Sequence, residues 1–280
     1  MNIMNKSIRN IIIFAIASIG GGFLGIYVDS LNPPQDTMQG LGVLLWLITP
    51  LLTNILLRTF GGDGWKNSGL GFNFRSGGFA YLVAILTVPL VALLTLGLGA
   101  VFGAFTVAGS FSNFLPLLGI AFAGAMVKNI FEEFAWRGYL APQFEAVKIN
   151  VFLGYILTGF IWAAWHIPYY LYFLPRAELN AHVFISMPAF LLLAFFDLPF
   201  HAFAYGELRR INNSVWPAWL MHNIANAISL PLLSSGFIVL TKNFMGVLLS
   251  PGTEGIVHSL LMGAVGYWLY RRRTAKQSNP

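Results

Sequence analysis

An all-α membrane protein of about eight transmembrane helices, with both termini cytoplasmic, is expected from this chain on three grounds. Charged residues fill only 9% of its 280 positions and hydrophobic residues 57%, whereas a soluble domain carries about 25% charged residues. So few charges cannot cover a water-facing surface without exposing large apolar patches, and a bilayer removes that problem. The apolar runs are continuous rather than alternating, and each is near the ~20 residues that cross the hydrocarbon layer as a helix. The basic residues, finally, sort to one side when the chain is threaded through a membrane.

The expected spans are roughly 10–28, 39–58, 79–103, 114–135, 150–173, 183–206, 215–240 and 255–270. Turn residues separate several of them, including Asn32-Pro33-Pro34, Gly61-Gly62-Asp63-Gly64, Ser76-Gly77-Gly78 and Pro251-Gly252. No strand is expected. The first run follows Lys6 and Arg9 and lacks a small-residue cleavage site, so it reads as a retained anchor rather than a signal peptide. With the N-terminus cytoplasmic, thirteen basic residues fall on that side: Lys6, Arg9, Arg58, Lys66, Arg75, Arg137, Lys148, Arg209, Arg210, Arg271, Arg272, Arg273 and Lys276. Only Arg176 and Lys242 fall on the other, and Lys128 lies within a span. That asymmetry is what the positive-inside rule requires, and a shift of one span would spoil it. Residues 1–280 are expected to form one membrane domain, multi-pass in the cell membrane, with the motif-bearing core at about 114–240.

Composition also excludes. The net charge of +6 does not point to nucleic acid, because the basic residues sit between apolar spans rather than on one patch. There is no cysteine, hence no disulfide, no thiolate metal site and no cysteine nucleophile. No GxSxG motif is present either.

Charge inside the membrane costs about 2.5–3.5 kcal/mol per group on insertion scales and usually marks function. The fourth span ends in Lys128-Asn129-Ile130-Phe131-Glu132-Glu133-Phe134-Ala135-Trp136-Arg137-Gly138. Glu133 and Arg137 are spaced to pair along one helix face, as are Lys128 and Glu132. Glu132 points about 100° away from Glu133, so one carboxylate can be neutralised by Arg137 while the other faces the bundle interior. The fifth span carries His166, followed at two residues by Pro168, which frees backbone carbonyls. The seventh carries His222 and Asn226 on one face, with Asn223 about 100° round and expected to pack or bond elsewhere. Asp197, Pro199 and His201 in the sixth span read as supporting or structural, and His182 and His258, near span ends, as interfacial. The eight tryptophans include candidates for interface anchors.

A carboxylate, two histidines and an asparagine from three helices supply the parts of a water-activating peptidase. Glu132 can act as general base toward water with His166 holding the same molecule. His222 and the Asn226 amide can stabilise the oxyanion. Zinc or another divalent metal held by Glu132, His166 and His222 is the competing chemistry, although the helical HExxH signature is absent. Metal-free water activation is the favoured of the two.

These residues resemble a known family. Glu132-Glu133-Phe134-Ala135-Trp136-Arg137-Gly138 is similar to its EExxxR motif, Trp162-xxx-His166 to its aromatic-xxx-His motif, and His222-xxx-Asn226, led by Ser214-Val215-Trp216-Pro217-Ala218, to its HxxxN motif. The family is that of the CPBP intramembrane proteases, the CAAX-protease and bacteriocin-processing or Abi group, which includes type II CAAX prenyl endopeptidases. The resemblance implies Glu132 as the catalytic glutamate, His166 as its partner on water, His222 and Asn226 as the oxyanion pair, and Glu133 and Arg137 in support. It implies as partners membrane lipid and a peptide or lipidated protein substrate. Members have been described both as metalloproteases and as glutamate-dependent proteases, so the metal question stays open. Trp162 stands where phenylalanine is commoner. The family's additional motif between the two histidine helices has no clear counterpart, Phe196 to Phe200 with Asp197 being nearest. Two other functions share the sequence features. A bacteriocin-immunity or abortive-infection protein acting by binding would keep its protective effect without Glu132 and His222. A proton-coupled transporter would show inverted repeats and paired broken helices, and neither is visible.

Overall fold

The computed structural model describes residues 3–176, 184–252 and 254–278. Ten α-helices occur among these residues, and a two-stranded ribbon is the only sheet among them. Helices α1 (Ile3–Leu31), α2 (Leu41–Thr59) and α3 (Phe74–Val101) come first, then strand β1 (Phe105–Val107) and helix α4 (Phe111–Ala135). Short α5 (Ala141–Ala146) leads to α6 (Val151–Pro168), α7 (Met187–Asn212) and α8 (Trp216–Ser229). Strand β2 (Ile238–Leu240), the one-turn α9 (Phe244–Leu248) and α10 (Ile256–Ser278) close the chain.

Six stretches are long and apolar enough to cross a membrane: Met4–Leu31, Leu41–Thr59, Gly77–Val101, Phe111–Ala146, Val151–Phe173 and Met187–Asn212. The chain is thus an all-α, multi-pass membrane protein. Its exposed side chains agree with a lipid-facing exterior: Ile16, Leu24, Leu93, Val101, Ile120 and Leu192 all lie on the outside of the bundle. The two remaining expected spans are helices that do not meet that standard alone. Helix α8 has 14 residues, against the ~20 a crossing needs. It packs against α3, α4 and α7, so protein rather than lipid surrounds it. The apolar part of α10 runs out at Arg271.

The expectation of helix through 215–240, with no strand, is corrected at its far end. Pro231 cannot donate to the helical ladder and Gly236 takes φ +69°, so the helix stops and Ile238–Leu240 pairs antiparallel with Phe105–Val107. His258 is corrected as well: it is buried, not interfacial, and its ring stacks on that of His201 at 5.7 Å and 13°. His182 lies outside the described residues.

Helix contacts follow from small residues and matched polar groups. Gly159 of α6 lies so close to the backbone of Pro199 in α7 that no Cβ fits there, the usual device for bringing membrane helices together. Helices α2 and α6 lock reciprocally: the Trp46 indole N–H donates to the Trp165 carbonyl at 2.8 Å and the Trp165 indole to the Trp46 carbonyl at 3.1 Å, with the rings stacked 4.1 Å apart. Several cations that sort by side in the sequence are in fact interior struts. Arg58 is buried and donates to the carbonyls of Gly64 and Gly138 and to Asn67 Oδ1. Arg209 donates to the Asn67 carbonyl and Asn213 Oδ1, both at 2.8 Å.

The three motif-bearing helices share one deformation. Each widens from α to π geometry at the end of its motif or just beyond it, at Trp136–Leu140, Tyr169–Phe173 and Leu230–Ser234. A proline stands by each widened turn (Pro142, Pro168 and Pro231). Its missing N–H and its ring prevent the regular i→i−4 ladder from continuing. Such bulges are frequent at functional sites.

Candidate active site

Helices α4, α6 and α8 converge on a cavity of about 530 Å3. Its polar wall includes Lys128, His166, His201, Tyr205, His222 and Asn226, while its apolar wall includes Ile120, Ala121, Leu174, Phe190 and Leu230.

Both expected ion pairs on α4 form. Arg137 Nη1 lies 2.9 Å from Glu133 Oε1, and Lys128 pairs with Glu132 Oε1. Both carboxylates are buried, at 1% exposure or less. Glu132, set round the helix from Glu133 as expected, lies inside the bundle with Lys128 as its counter-charge. Two like charges cannot be removed from water side by side without a counter-charge each. The second oxygen of Glu132 accepts from the Trp162 indole N–H at 2.9 Å. Glu132 thus stands one side chain behind the cavity wall, held by two residues, Lys128 and Trp162, that form it.

Trp162 organises more than Glu132. Its carbonyl accepts from His166 Nδ1 at 2.9 Å, and its ring covers the Arg137 guanidinium at 4.3 Å. Tyr205 covers the same guanidinium at 4.8 Å. A guanidinium between two aromatic faces gains cation–π attraction where no water reaches it, which is how Arg137 stays buried with one carboxylate partner. The departure from phenylalanine at 162 now has a physical account, since only an indole offers both the ring face and an N–H for Glu132.

His222 bonds to Glu133, not Glu132: its Nδ1 lies 2.9 Å from Glu133 Oε1. A carbonyl or carboxylate oxygen only accepts, so Nδ1 of both His166 and His222 carries the proton and each ring turns Nε2 toward the cavity. Asn226 Nδ2 donates to Asn129 Oδ1 at 3.1 Å, and Asn129 Nδ2 donates to Asn223 Oδ1 at 2.8 Å. Asn223 therefore does bond away from His222, across to α4. The amide chain fixes Asn226 while leaving its second N–H for the cavity.

Four of the site residues predicted from sequence (His166, His222, Asn226 and, through its partners, Glu132) meet around the cavity, and Glu133 and Arg137 lie behind His222. Sequence reasoning missed Asn129, Trp162 as a donor and Tyr205; His201, read as supporting or structural, lines the cavity. Asn129 carried a legible signal, an amide one turn before the paired carboxylates in an apolar run. Among the described residues, no three His, Asp or Glu side chains come together as a metal cage. In this arrangement both oxygens of Glu132 are engaged, by Lys128 and by the Trp162 indole.

No curated protein matches the chain. Residues 113–228, which contain every one of these carboxylates, histidines and amides, match the family described as type II CAAX prenyl endopeptidase Rce1-like. Over these central helices, less than half of its 280 residues, the chain is similar to that family.

Proposed function

We propose that the protein is an intramembrane endopeptidase that hydrolyses a peptide bond of a membrane-associated substrate with water activated by Glu132 and His166. Lys128, with a side chain 37% exposed, swings from Glu132 toward the cavity mouth and uncovers the carboxylate. Glu132 takes a proton from water while His166 Nε2 accepts a hydrogen bond from the same molecule. The hydroxide adds to the substrate carbonyl carbon. His222 and the free N–H of Asn226 donate to the oxyanion. To donate from Nε2 while Nδ1–H stays on Glu133, His222 enters the reaction as the imidazolium, its second proton taken from bulk water before the hydroxide forms and kept on the ring throughout beside the Glu133 carboxylate. As the intermediate collapses the C–N bond breaks, and Glu132 returns its proton to the leaving amine.

One observation carries this reading: a single residue, Trp162, binds Glu132 through its indole and His166 through its carbonyl, so base and partner are set against the same stretch of wall. The apolar side of the cavity supports a lipidated or membrane-embedded peptide as the substrate, because polar chain alone would leave that wall unmatched. The test is cleavage of a panel of membrane-anchored peptides, including a farnesylated peptide ending in a CAAX sequence, by the full chain in detergent or vesicles. Turnover that survives a chelator and vanishes in Glu132→Gln is expected. Full turnover in Glu132→Gln would remove the glutamate from the mechanism, and loss with chelator restored by zinc would replace metal-free chemistry.

A further inference from the structure

Bonds between connections fix the two ends of the bundle. At one end Lys6 pairs with Asp63 at 3.6 Å, Asn73 Nδ2 donates to the Asn212 carbonyl at 2.9 Å, and Arg210 pairs with Glu145 at 2.9 Å and Arg273 with Glu207 at 2.7 Å. At the other, Thr37 Oγ1 donates to the Phe173 carbonyl at 2.7 Å and the Thr241 N–H to the Ala104 carbonyl at 2.9 Å. The basic residues divide unequally between them. With the buried struts Arg58, Arg137 and Arg209 set aside, ten basic residues stay at the first end and only Arg176 and Lys242 at the second. Short connections rich in Lys and Arg remain on the cytoplasmic side of a membrane.

The cavity belongs to the second end. Its wall stops at Lys128 on α4, Trp162 on α6, Tyr205 on α7 and His222 on α8. From each of these, roughly two or three turns of helix remain before the basic connections. Trp136, Arg137, Tyr139 and Leu208 are fully buried in that layer, so packed side chains separate the cavity from the basic end. In the opposite direction the wall runs on into Met38, Phe184, Leu240, Val247 and Glu254, which lie in the connections of the second end. Ile120 and Leu230 line it and are also 69% and 43% exposed, so its rim reaches the outside of the bundle on that half.

We propose that the basic end is the cytoplasmic one and that the cavity therefore opens on the opposite, non-cytoplasmic side, admitting an apolar peptide segment presented there. This rests on the peptidase reading for what enters, and on the placement of charge and cavity for the side. A lipidated tail held in the cytoplasmic leaflet meets the closed end. The rim is apolar at Ile120, Leu230 and Val247, so a segment already in the non-cytoplasmic half of the bilayer enters without bringing apolar side chains into water.

The chain has no cysteine, so single cysteines report position without background. Ser229→Cys and Val247→Cys lie on the cavity wall, and Lys66→Cys marks the exposed surface of the basic end. Each is treated with a charged, membrane-impermeant methanethiosulfonate in sealed vesicles of known orientation. Labelling needs no turnover, which separates this inference from catalysis. Ser229→Cys and Val247→Cys should label from the non-cytoplasmic face, and from the cytoplasmic face only after the membrane is permeabilised. Lys66→Cys should show the reverse. Whichever peptide of the membrane-anchored panel the solubilised chain cleaves should be cut when supplied on the non-cytoplasmic face and escape when supplied on the other. Failure of either cavity variant to label from the non-cytoplasmic face overturns the proposal, and so does its labelling from the cytoplasmic one in intact vesicles. Lys66→Cys labelled from the non-cytoplasmic face overturns it as well, as does cleavage that is equal or greater from the cytoplasmic supply. The expected labelling in a chain that cleaves nothing upholds the open side and sinks the peptidase reading alone.

Discussion

Two polar clusters lie inside the bundle, and they are built on opposite terms. Between α4, α6 and α8 nearly every charge has a counter-charge or donor: Lys128 on Glu132, Arg137 and His222 on Glu133, Trp162 on Glu132. Between α7 and α10, Asp197, His201 and His258 are as deeply buried, but no cation sits among them and His201 Nε2 meets nothing. The first arrangement can hold ionised groups out of water because each cost is offset within a few ångströms. The second holds its rings by stacking, with no counter-charge among them. The difference separates a cluster that can hold charge from one that holds polar rings by packing alone.

The largest break in that comparison is Glu132→Gln. It removes the base while the amide still accepts from Trp162, and turnover should fall about a hundred- to ten-thousandfold with the helical content unchanged by circular dichroism. A fall under about tenfold would move the base elsewhere. Next is Arg137→Gln, which leaves Glu133 buried without its cation. Stripping one partner from a buried pair costs about 3–5 kcal/mol, so the melting temperature in detergent should drop sharply and activity with it; an unchanged melting curve would mean His222 alone satisfies Glu133. Trp162→Phe is smaller. It keeps a ring over Arg137 but removes the N–H on Glu132, a hydrogen bond to a charged group worth about 1.5–3 kcal/mol, so kcat should fall roughly tenfold or more with little change in melting. A KM effect alone would show that the indole serves substrate rather than Glu132. Smallest is His258→Phe in the second cluster. The stack on His201 is retained and no charge is unmasked, so turnover and melting should stay within about twofold and a degree or two; a large loss would place a functional proton there.

Some of this was legible along the chain because it is local. The pairs Lys128–Glu132 and Glu133–Arg137, and the shared face of His222 and Asn226, follow from helical spacing within one segment. The membrane class follows from composition, which no packing detail can alter. Other features needed two segments at once. Asn129 shows one side of an amide ladder whose other side is ninety-odd residues on, in Asn223 and Asn226. The arginines at 58 and 209 look like topology signals until the loops they strut are seen in place.

By itself, then, the sequence determined that the chain is apolar helices in a bilayer, which helix carries which reactive group, and what lies one turn away on the same face. Only the tertiary structure decided that His222 belongs to Glu133, that Trp162 rather than open space holds Glu132, that His201 stacks on His258 and that Ile238–Leu240 turns to strand. The physical reason is one of geometry. Helical periodicity sets angles about a single axis, whereas the rotation and depth of one helix against the next depend on contacts such as Gly159 on Pro199 and Trp46 on Trp165, which no single segment encodes.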